Sequence, residues 1–289
     1  MWPVVLLFLQ ASAHQTALAA YKQHKFPEAV AGFTEALKTE KPGTPEYDES
    51  VVLLGQSYYL QSKFKEAIPW LEKGSGTEAA YMLGNAYIFT QQSDRAVTAF
   101  ARLFQVKPDS AAAHLTAAQM MLHNDADAEA VKQAQAALAV DPRIPEAHFL
   151  IGEVAIVKAD IDGAIEELKK EIAINPAFAM AYYRLGDAYT RRENWDEAMG
   201  PLERSVWLNP NYSGPFILLG KVYLKRKELA NAEGVLRHAL VLDPQNASAH
   251  YLLGQTLMQL GKSEEAKKQM DRWQELKGSQ GTQKKGGAQ

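Results

Sequence analysis

Apolar and small residues recur along this chain at a spacing of 34 residues, separated by polar positions. The clearest marker is a proline after an apolar stretch and one polar residue, at Pro108, Pro142, Pro176, Pro210 and Pro244. Between successive prolines the apolar positions form two blocks with helical spacing. A proline ends a helix because it lacks an N–H and clashes with the preceding turn. The pattern therefore predicts an array of repeated helix pairs.

We number each repeat from the third residue after the preceding proline. Two positions of the repeat then carry glycine or alanine, which have almost no side chain. Position 8 is Gly84, Ala118, Gly152, Gly186, Gly220 and Gly254, and position 20 is alanine from Ala96 to Ala266. A glycine inside a helix costs about 1 kcal/mol relative to alanine, so its recurrence needs a reason. We expect the first helix of each repeat, helix A, to touch the second, helix B, at these positions.

One repeat shows the whole pattern: Arg184-Leu185-Gly186-Asp187-Ala188-Tyr189, then Trp195-Asp196-Glu197-Ala198, then Asn209-Pro210. It resembles the tetratricopeptide repeat, a unit of two antiparallel helices, and the resemblance extends over nearly the whole chain. The resemblance implies an all-α fold, a right-handed α-solenoid of about eight helix-turn-helix units. Repeats are expected to start near residues 10, 48, 77, 111, 145, 179, 213 and 247, within a solenoid spanning 14–277.

The first repeats depart from the regular spacing. The interval from Ala17 to Gly55 is four residues longer than the period, and the interval from Gly55 to Gly84 is five residues shorter. We expect the extra residues to form a loop at 39–46. The shortening removes a proline and predicts a tight turn just before Thr77, which is a candidate N-cap residue.

Both ends of the chain differ from the repeats. Residues 1–13 combine an apolar run with Ala11-Ser12-Ala13, a small-x-small pattern, and predict a signal peptide for export to the bacterial periplasm. The alternative is an apolar extension of the first helix on a cytoplasmic protein. Residues 278–289 are rich in Gly, Gln and Lys and predict a disordered tail.

Composition narrows the class of protein. The chain is 47% hydrophobic with a net charge of −3, which excludes general disorder and a strongly basic nucleic-acid binder. The chain has no cysteine, so disulfides, thiolate catalysis and sulfur-ligated metals are excluded. The apolar N-terminal run is too short to span a bilayer as a helix.

No catalytic motif appears, so we expect no enzymatic activity and no cofactor. The sequence lacks a glycine-rich phosphate loop, an HExxH motif and a Gly-x-Ser-x-Gly motif. His114, His148 and His250 all stand at position 4 and are predicted to serve helix packing. Because they lie in separate repeats, we expect no metal site.

The resemblance implies that helix A lines a concave groove, with positions 2, 5, 9, 12 and 13 directed inward. The candidate partner-binding residues are Tyr81, Asn85, Phe149, Glu153, Tyr183, Asp187, Arg191, Lys221, Lys225 and Tyr251. An apolar and aromatic stripe of this kind suits an extended or helical peptide. The alternative is that the aromatic residues serve packing between repeats.

Charge along the predicted groove is uneven. Arg191, Lys221 and Lys225 lie at inward positions of the sixth and seventh repeats and favour an acidic partner segment. The alternative is ordinary solvated charge. Some relatives hold a C-terminal carboxylate with Lys and Asn at positions 5 and 9; here Tyr81 and Asn85 offer only the Asn. We therefore expect no carboxylate-clamp binding of chaperones.

The resulting hypothesis is a non-catalytic protein-interaction scaffold that binds a partner peptide in its concave groove. One alternative is a structural or assembly component of a bacterial cell-envelope complex that uses its convex or end surfaces. Another is an accessory domain separated from a larger enzyme.

Overall fold

A computed structural model describes the backbone of residues 12–286 and the side chains of residues 12–278. Within that range every regular element is a helix. The helices are α1 (Ala13–Lys22), α2 (Phe26–Ala36), α3 (Pro45–Tyr59), α4 (Phe64–Lys73), α5 (Thr77–Phe89), α6 (Ser93–Leu103), α7 (Ala111–His123), α8 (Asp127–Val140), α9 (Ala147–Val157), α10 (Ile161–Ile174), α11 (Ala179–Arg191), α12 (Trp195–Leu208), α13 (Ser213–Lys225), α14 (Leu229–Leu242), α15 (Ala247–Gln259) and α16 (Ser263–Gly286). Odd-numbered helices are helix A of a repeat, and even-numbered helices are helix B. The predicted all-α solenoid of about eight helix pairs is confirmed.

The chain divides into two compact units, Met1–Ile144 and Pro145–Gln289. Each unit contains four helix pairs, α1 to α8 in the first unit and α9 to α16 in the second. The division falls between the fourth and fifth predicted repeats, so the single span predicted for 14–277 contains two units.

Each turn from helix A to helix B contains one residue in the left-handed region, always at position 15 of its repeat. These residues are His24, Ser62, Gln91, Asp125, Ala159, Glu193, Lys227 and Gly261, with φ between 57° and 76°. The next residue donates its N–H to a carbonyl five residues back, as Asn194 does to Tyr189 at 3.0 Å. This bond closes the end of helix A and sets the direction of helix B.

Helix A touches helix B at the predicted small residues. A Cβ atom added at Gly186 would lie 2.4 Å from Leu202 Cδ2, and one added at Gly84 would lie 2.4 Å from Phe100 Cε1. Ala198, at the partner position on helix B, is fully buried. The contact predicted from the glycine and alanine pattern is therefore present in both units.

The cores of the two units are built between adjacent repeats. In the first unit Ala17, Phe33 and Leu54 form one buried cluster from repeats one and two. In the second unit Leu202 and Leu219 join a cluster from repeats six and seven. Within each unit these repeats thus bury their apolar faces against their neighbours, as expected for a repeat array.

Two details of the irregular repeats correct the prediction. Helix α3 begins at Pro45 with Thr44 as its N-cap, so the predicted loop at 39–46 ends earlier. The N-cap of α5 is Gly76, with φ of 95°, and Thr77 is already helical. Gly76 can adopt that positive φ because it has no Cβ, so the N-cap lies one residue earlier than predicted.

The N-cap of helix α9 is Glu146, a left-handed residue whose φ is 73°. Its N-terminal amides bond to a side chain of the following helix instead of a local cap. Fully buried Glu171 of α10 accepts the N–H of Glu146 at 2.8 Å and that of Phe149 at 3.3 Å. A carboxylate at a helix N-terminus is favoured by the exposed amides and the helix dipole, so Glu171 fixes the start of the second unit.

The termini bear on two further predictions. Most of the predicted signal peptide 1–13 lies outside the described residues; Ser12 caps α1 and Ala13 is its first residue. Helix α16 continues to Gly286, so the disordered tail predicted for 278–289 is not found over 278–286. The Gln and Lys residues of this segment propagate an existing helix at little cost, whereas each of its glycines costs about 1 kcal/mol relative to alanine. Residues 287–289 lie outside the described range.

Candidate functional site

Three of the aromatic residues predicted to line the groove pack against other aromatic rings. Two of them meet a residue just after a proline turn, and the third meets a residue of α16. Phe149 meets Phe178 with ring centroids 4.9 Å apart, and Tyr183 meets Tyr212 at 5.2 Å, both edge to face. Tyr251 meets Trp273 of α16 at 4.9 Å. These contacts support the packing alternative in part, yet each of the three predicted residues keeps some exposed surface.

A cleft of about 630 Å³ opens beside two of these aromatic pairs in the second unit. Its principal lining residues are Tyr183, Tyr212, Ile217, Lys221, Tyr251 and Trp273. Burial, followed by the neighbouring Tyr212 hydroxyl, raises the pKa of the Tyr183 phenol above its ordinary value. The structure brings three predicted residues, Tyr183, Lys221 and Tyr251, into this one cleft.

Two predicted acidic residues are already paired within the second unit. Glu153 Oε1 accepts from Arg184 Nε at 2.6 Å, and Asp187 Oδ2 accepts from Arg191 Nε at 3.0 Å. The charge of Arg191 is thus balanced one turn away on its own helix. Of the three cations predicted to attract an acidic partner, Arg191 contributes the least free charge.

Lys221 and Lys225 behave differently from Arg191. Both ammonium groups lie over the ring of Trp195, at 5.8 Å and 5.7 Å from its centroid. Among the described residues neither has a carboxylate within 4.0 Å. The two lysines are one helical turn apart on α13, so they present two positive charges on one face. We call Trp195, Lys221 and Lys225 the lysine–tryptophan site.

The lysine–tryptophan site joins two clefts of the second unit. Lys221 lines the 630 Å³ cleft, and Lys225 lines a cleft of about 430 Å³ with Leu224 and Met258. Met258 is half exposed, at 54%. Positive charge therefore stands between two openings that contain apolar side chains.

The two predicted residues of the first unit fit the hypothesis less well. Tyr81 is half-buried on α5, whereas Asn85 is only 1% exposed. Asn85 Oδ1 accepts from Asn124 Nδ2 at 3.1 Å. Asn85 is thus wrong as a partner-binding residue, because a buried amide bonded inside the protein offers no surface to a partner.

The position-4 histidines pack between helix A and helix B of their own repeats. Nδ1 of His114 lies 2.8 Å from Gln133 Oε1, and Nδ1 of His148 lies 2.6 Å from Glu167 Oε2. His250 makes the same contact with Gln269 at 2.6 Å. In the part of the chain that the structure describes, no group of three or more His, Cys, Asp or Glu side chains is placed to hold a metal ion.

Sequence reasoning missed Trp195, Tyr212 and Trp273 as parts of this site. Trp195 stands at position 17, where it matched the repeat motif and was therefore assigned to the scaffold. Tyr212 follows the proline turn, one residue before α13. Trp195 and Lys221 are 26 residues apart in the sequence. That spacing becomes a contact only when adjacent repeats stack, so it could be recognised only in the structure.

Family models of the tetratricopeptide repeat match most of this chain. One matches residues 14–78, 81–134, 128–177 and 158–213, and another matches 247–279. A model described as a TPR repeat matches residues 220–261. No curated protein matches the chain significantly. Across the described residues, no helix has both the length and the apolar character needed to cross a membrane.

Solved structures with a similar fold share little sequence with this chain. MamA from Desulfovibrio magneticus RS-1 is 23% identical over 60% of this chain and 97% of its own, with a TM-score of 0.55. YrrB is 21% identical over 63% and 93%, with a TM-score of 0.54. In the Cut9–Hcn1 complex of the APC/C the match covers 85% of this chain and 48% of the other, at 19% identity and a TM-score of 0.51. At these identities the similarity concerns the fold alone.

Proposed function

The chain belongs to the tetratricopeptide-repeat family of protein-interaction scaffolds, and on that basis we propose that its second unit binds a segment of a partner protein. The bound segment carries acidic residues next to aromatic or apolar ones. The acidic residues lie at Lys221 and Lys225, and the apolar ones enter the adjoining clefts. The scaffold itself performs no chemistry.

The observation that carries this proposal is the pair of lysines over Trp195. Glu153 and Asp187 are balanced by arginines, while the two ammonium groups have no carboxylate within 4.0 Å among the described residues. A lysine held on an aromatic face loses little further side-chain freedom when it pairs with an anion. The site is therefore suited to a carboxylate from another chain.

The adjoining cleft explains why the partner needs aromatic or apolar residues. The cleft is lined by Tyr183, Tyr251 and Trp273, each already in contact with another ring or apolar group. Aromatic residues of this kind give most of the binding energy at protein interfaces. YrrB is described as a TPR protein with an unusual peptide-binding site, which supports peptide binding by repeats of this type.

A peptide-display selection tests this function. Random peptides are selected on the wild-type protein and sequenced; we expect Asp or Glu enriched within a few positions of Trp, Tyr, Phe or Leu. Lys221→Glu combined with Lys225→Glu should weaken the selected peptides about tenfold or more, because two attractive contacts become repulsive. Fluorescence anisotropy measures the change.

The matched control is Lys267→Glu combined with Lys268→Glu on α16, which changes net charge equally at two exposed residues. It should leave binding within about twofold of wild type if only the local site matters. Circular dichroism checks that both variants keep their helices. Selection of the same peptides by the Lys221 and Lys225 variant would refute the proposed site.

A role in assembling a cell-envelope complex is the second candidate, and one surface feature favours it. Trp207 of α12 and Val241 of α14 occupy the same repeat position on helix B and are 69% and 75% exposed. Export to the bacterial periplasm belongs to this candidate and depends on the predicted signal peptide. The N-terminal residue of the protein purified from its source decides export: a start at 14 supports it, and an intact Met1 contradicts it.

A further inference from the structure

The five-residue shortening in the first unit falls immediately after Glu72. In the second unit Arg237 of α14 contacts Glu265 of α16, 28 residues later. Glu72 of α4 makes the same type of contact with Arg95 of α6, 23 residues later. Both contacts join equivalent positions on two successive B helices. The separation in the first unit is shorter by five residues, so the missing residues lie after Glu72.

Helix α4 therefore lacks its last turn. After the equivalent contact, α14 continues from Arg237 to Leu242, whereas α4 ends at Lys73, next to Glu72. The difference is about one helical turn. Thr98, Ala99 and Arg102 lie one and two turns beyond Arg95 on α6, so they face the space that this turn would occupy.

A cleft of about 410 Å³ occupies that space within the first unit. Its walls include Leu83 and Tyr87 of α5, Thr98 and Arg102 of α6, and Val106 after α6. A helical turn about 5.4 Å long and about 10 Å wide fills about 420 Å³. The cleft is therefore large enough to admit a helical turn.

The charges around the cleft leave one arginine uncompensated. The carboxylate of Glu72 accepts from both Tyr87 Oη and Arg95, whose guanidinium also lies 4.5 Å from the Tyr87 ring centroid. Arg102 donates to the Gly74 carbonyl at 2.7 Å, and no described carboxylate lies within 4.0 Å of it. A guanidinium has five N–H donors, so Arg102 can bind an added carboxylate.

We propose that this cleft is a docking site for a helical turn of a partner protein, which takes the place of the turn that α4 lacks. The apolar side chains of the docked turn contact Leu83 and Val106. An acidic residue at its end pairs with Arg102. The site lies in the first unit and does not depend on the function proposed for the second.

The chain itself supplies a probe with these features. A fluorescein-labelled peptide copying residues 229–243, the α14 sequence, ends in Leu240-Val241-Leu242-Asp243 and so carries the complete turn with its acid. Its binding to the full chain is followed by fluorescence anisotropy. We expect saturable binding that weakens about tenfold with Arg102→Ala, since a charge-assisted hydrogen bond is lost. Replacing the aspartate of the peptide by asparagine should give a similar loss.

Filling the cleft supplies the decisive control. Thr98→Trp places a large side chain in the cleft and should abolish binding. Gly234→Trp adds the same side chain at the same repeat position of α14, where no atom lies within 4 Å of an added Cβ, and should leave binding unchanged. Retained binding by Thr98→Trp, or no saturable binding to the wild type, overturns the proposal. Competition by N-acetyl-leucine as effective as that by the peptide also overturns it, because the site would then recognise a small carboxylate.

Discussion

In the first unit three of the four B helices are short, whereas in the second unit all four are long. Helices α2, α4 and α6 have 11, 10 and 11 residues. Helices α10, α12 and α14 each have 14 residues, and α16 has 24. The buried contact between helix A and helix B is nevertheless the same in both units. The length of helix B can therefore vary where the packing positions are kept.

The inner positions of helix A differ in a second way. In the first unit they form neutral bonds: Tyr21 Oη donates to Gln56 at 2.7 Å, and Asn124 donates to Asn85 at 3.1 Å. In the second unit the corresponding positions carry Glu153, Asp187 and Lys221. Gln56 and Asn85 are buried, while Lys221 keeps exposed surface. At these positions the first unit thus buries Gln56 and Asn85, whereas the second leaves the charge of Lys221 available to a partner.

The largest effect is expected from leucine at the shared helix contact. Gly84→Leu and Gly186→Leu should each lower the free energy of unfolding by about 3 kcal/mol, because the added atoms overlap Phe100 or Leu202. Urea unfolding followed by circular dichroism measures the loss. Gly234→Leu, at an open position of α14, should cost nothing and gain up to about 1 kcal/mol. A tolerated Gly84→Leu beside a damaging Gly186→Leu would show that the two units do not share this contact.

A smaller effect distinguishes how helices begin in the two units. In the first unit Ser110 caps α7 locally by accepting the N–H of Ala113 at 3.2 Å, while in the second Glu171 caps α9 from another helix. Glu171→Ala should cost about 2 kcal/mol, because it removes the carboxylate acceptor of two part-buried N–H groups. Ser110→Ala should cost about 1 kcal/mol.

The same unfolding measurement compares the two caps. Glu171→Gln keeps one acceptor oxygen and should recover part of the loss. Equal losses for Glu171→Ala and Ser110→Ala would mean that the buried position of Glu171 adds nothing to a local cap.

The fold could be predicted because its determinants recur in every repeat. Every regular repeat has a buried contact between helix A and helix B and a helix end at the same positions. In one repeat these are marked by Gly186, Ala198 and Pro210, and the spacing of such residues predicts the fold. The left-handed residue at position 15 escaped prediction because only Gly261 of the eight is a glycine. The backbone conformation there follows from helix packing and is not visible in residue type.

The candidate site could be predicted only in part, because its residues meet between repeats. Lys221 and Lys225 stood out as charges at inward positions, but their contact with Trp195 depends on how adjacent repeats stack. Asn85 carried the same positional signal and is buried, since Asn124 folds back onto it. The shortened interval before Gly84 was visible in the sequence. That it removes a turn of α4 and opens a cleft required the contact between Glu72 and Arg95.

The smallest expected effect is a dependence on pH at one contact of the second unit. His148 bonds to Glu167, whereas the equivalent His114 of the first unit bonds to the neutral Gln133. Burial raises the pKa of Glu167, but hydrogen bonds from Lys170 and His148 outweigh burial and hold the pKa below its ordinary value of 4.5. A lowered carboxyl pKa stabilises the fold above that ordinary value, and this stabilisation is lost as pH falls through the pKa of the folded state.

Glu167→Gln reproduces the first unit's neutral contact and should remove this pH dependence. At pH 7 we expect a loss of about 0.2–0.5 kcal/mol, as for a surface helical ion pair, and no difference from wild type well below pH 4.5. Urea unfolding at a series of pH values measures both. Glu197→Gln, at an exposed position of α12 away from this contact, makes the same charge change and should keep the wild-type pH profile. If Glu167→Gln also keeps the wild-type pH profile, the carboxylate of Glu167 stabilises the fold no more than the amide of Gln133 does. The two units would then not differ at this contact.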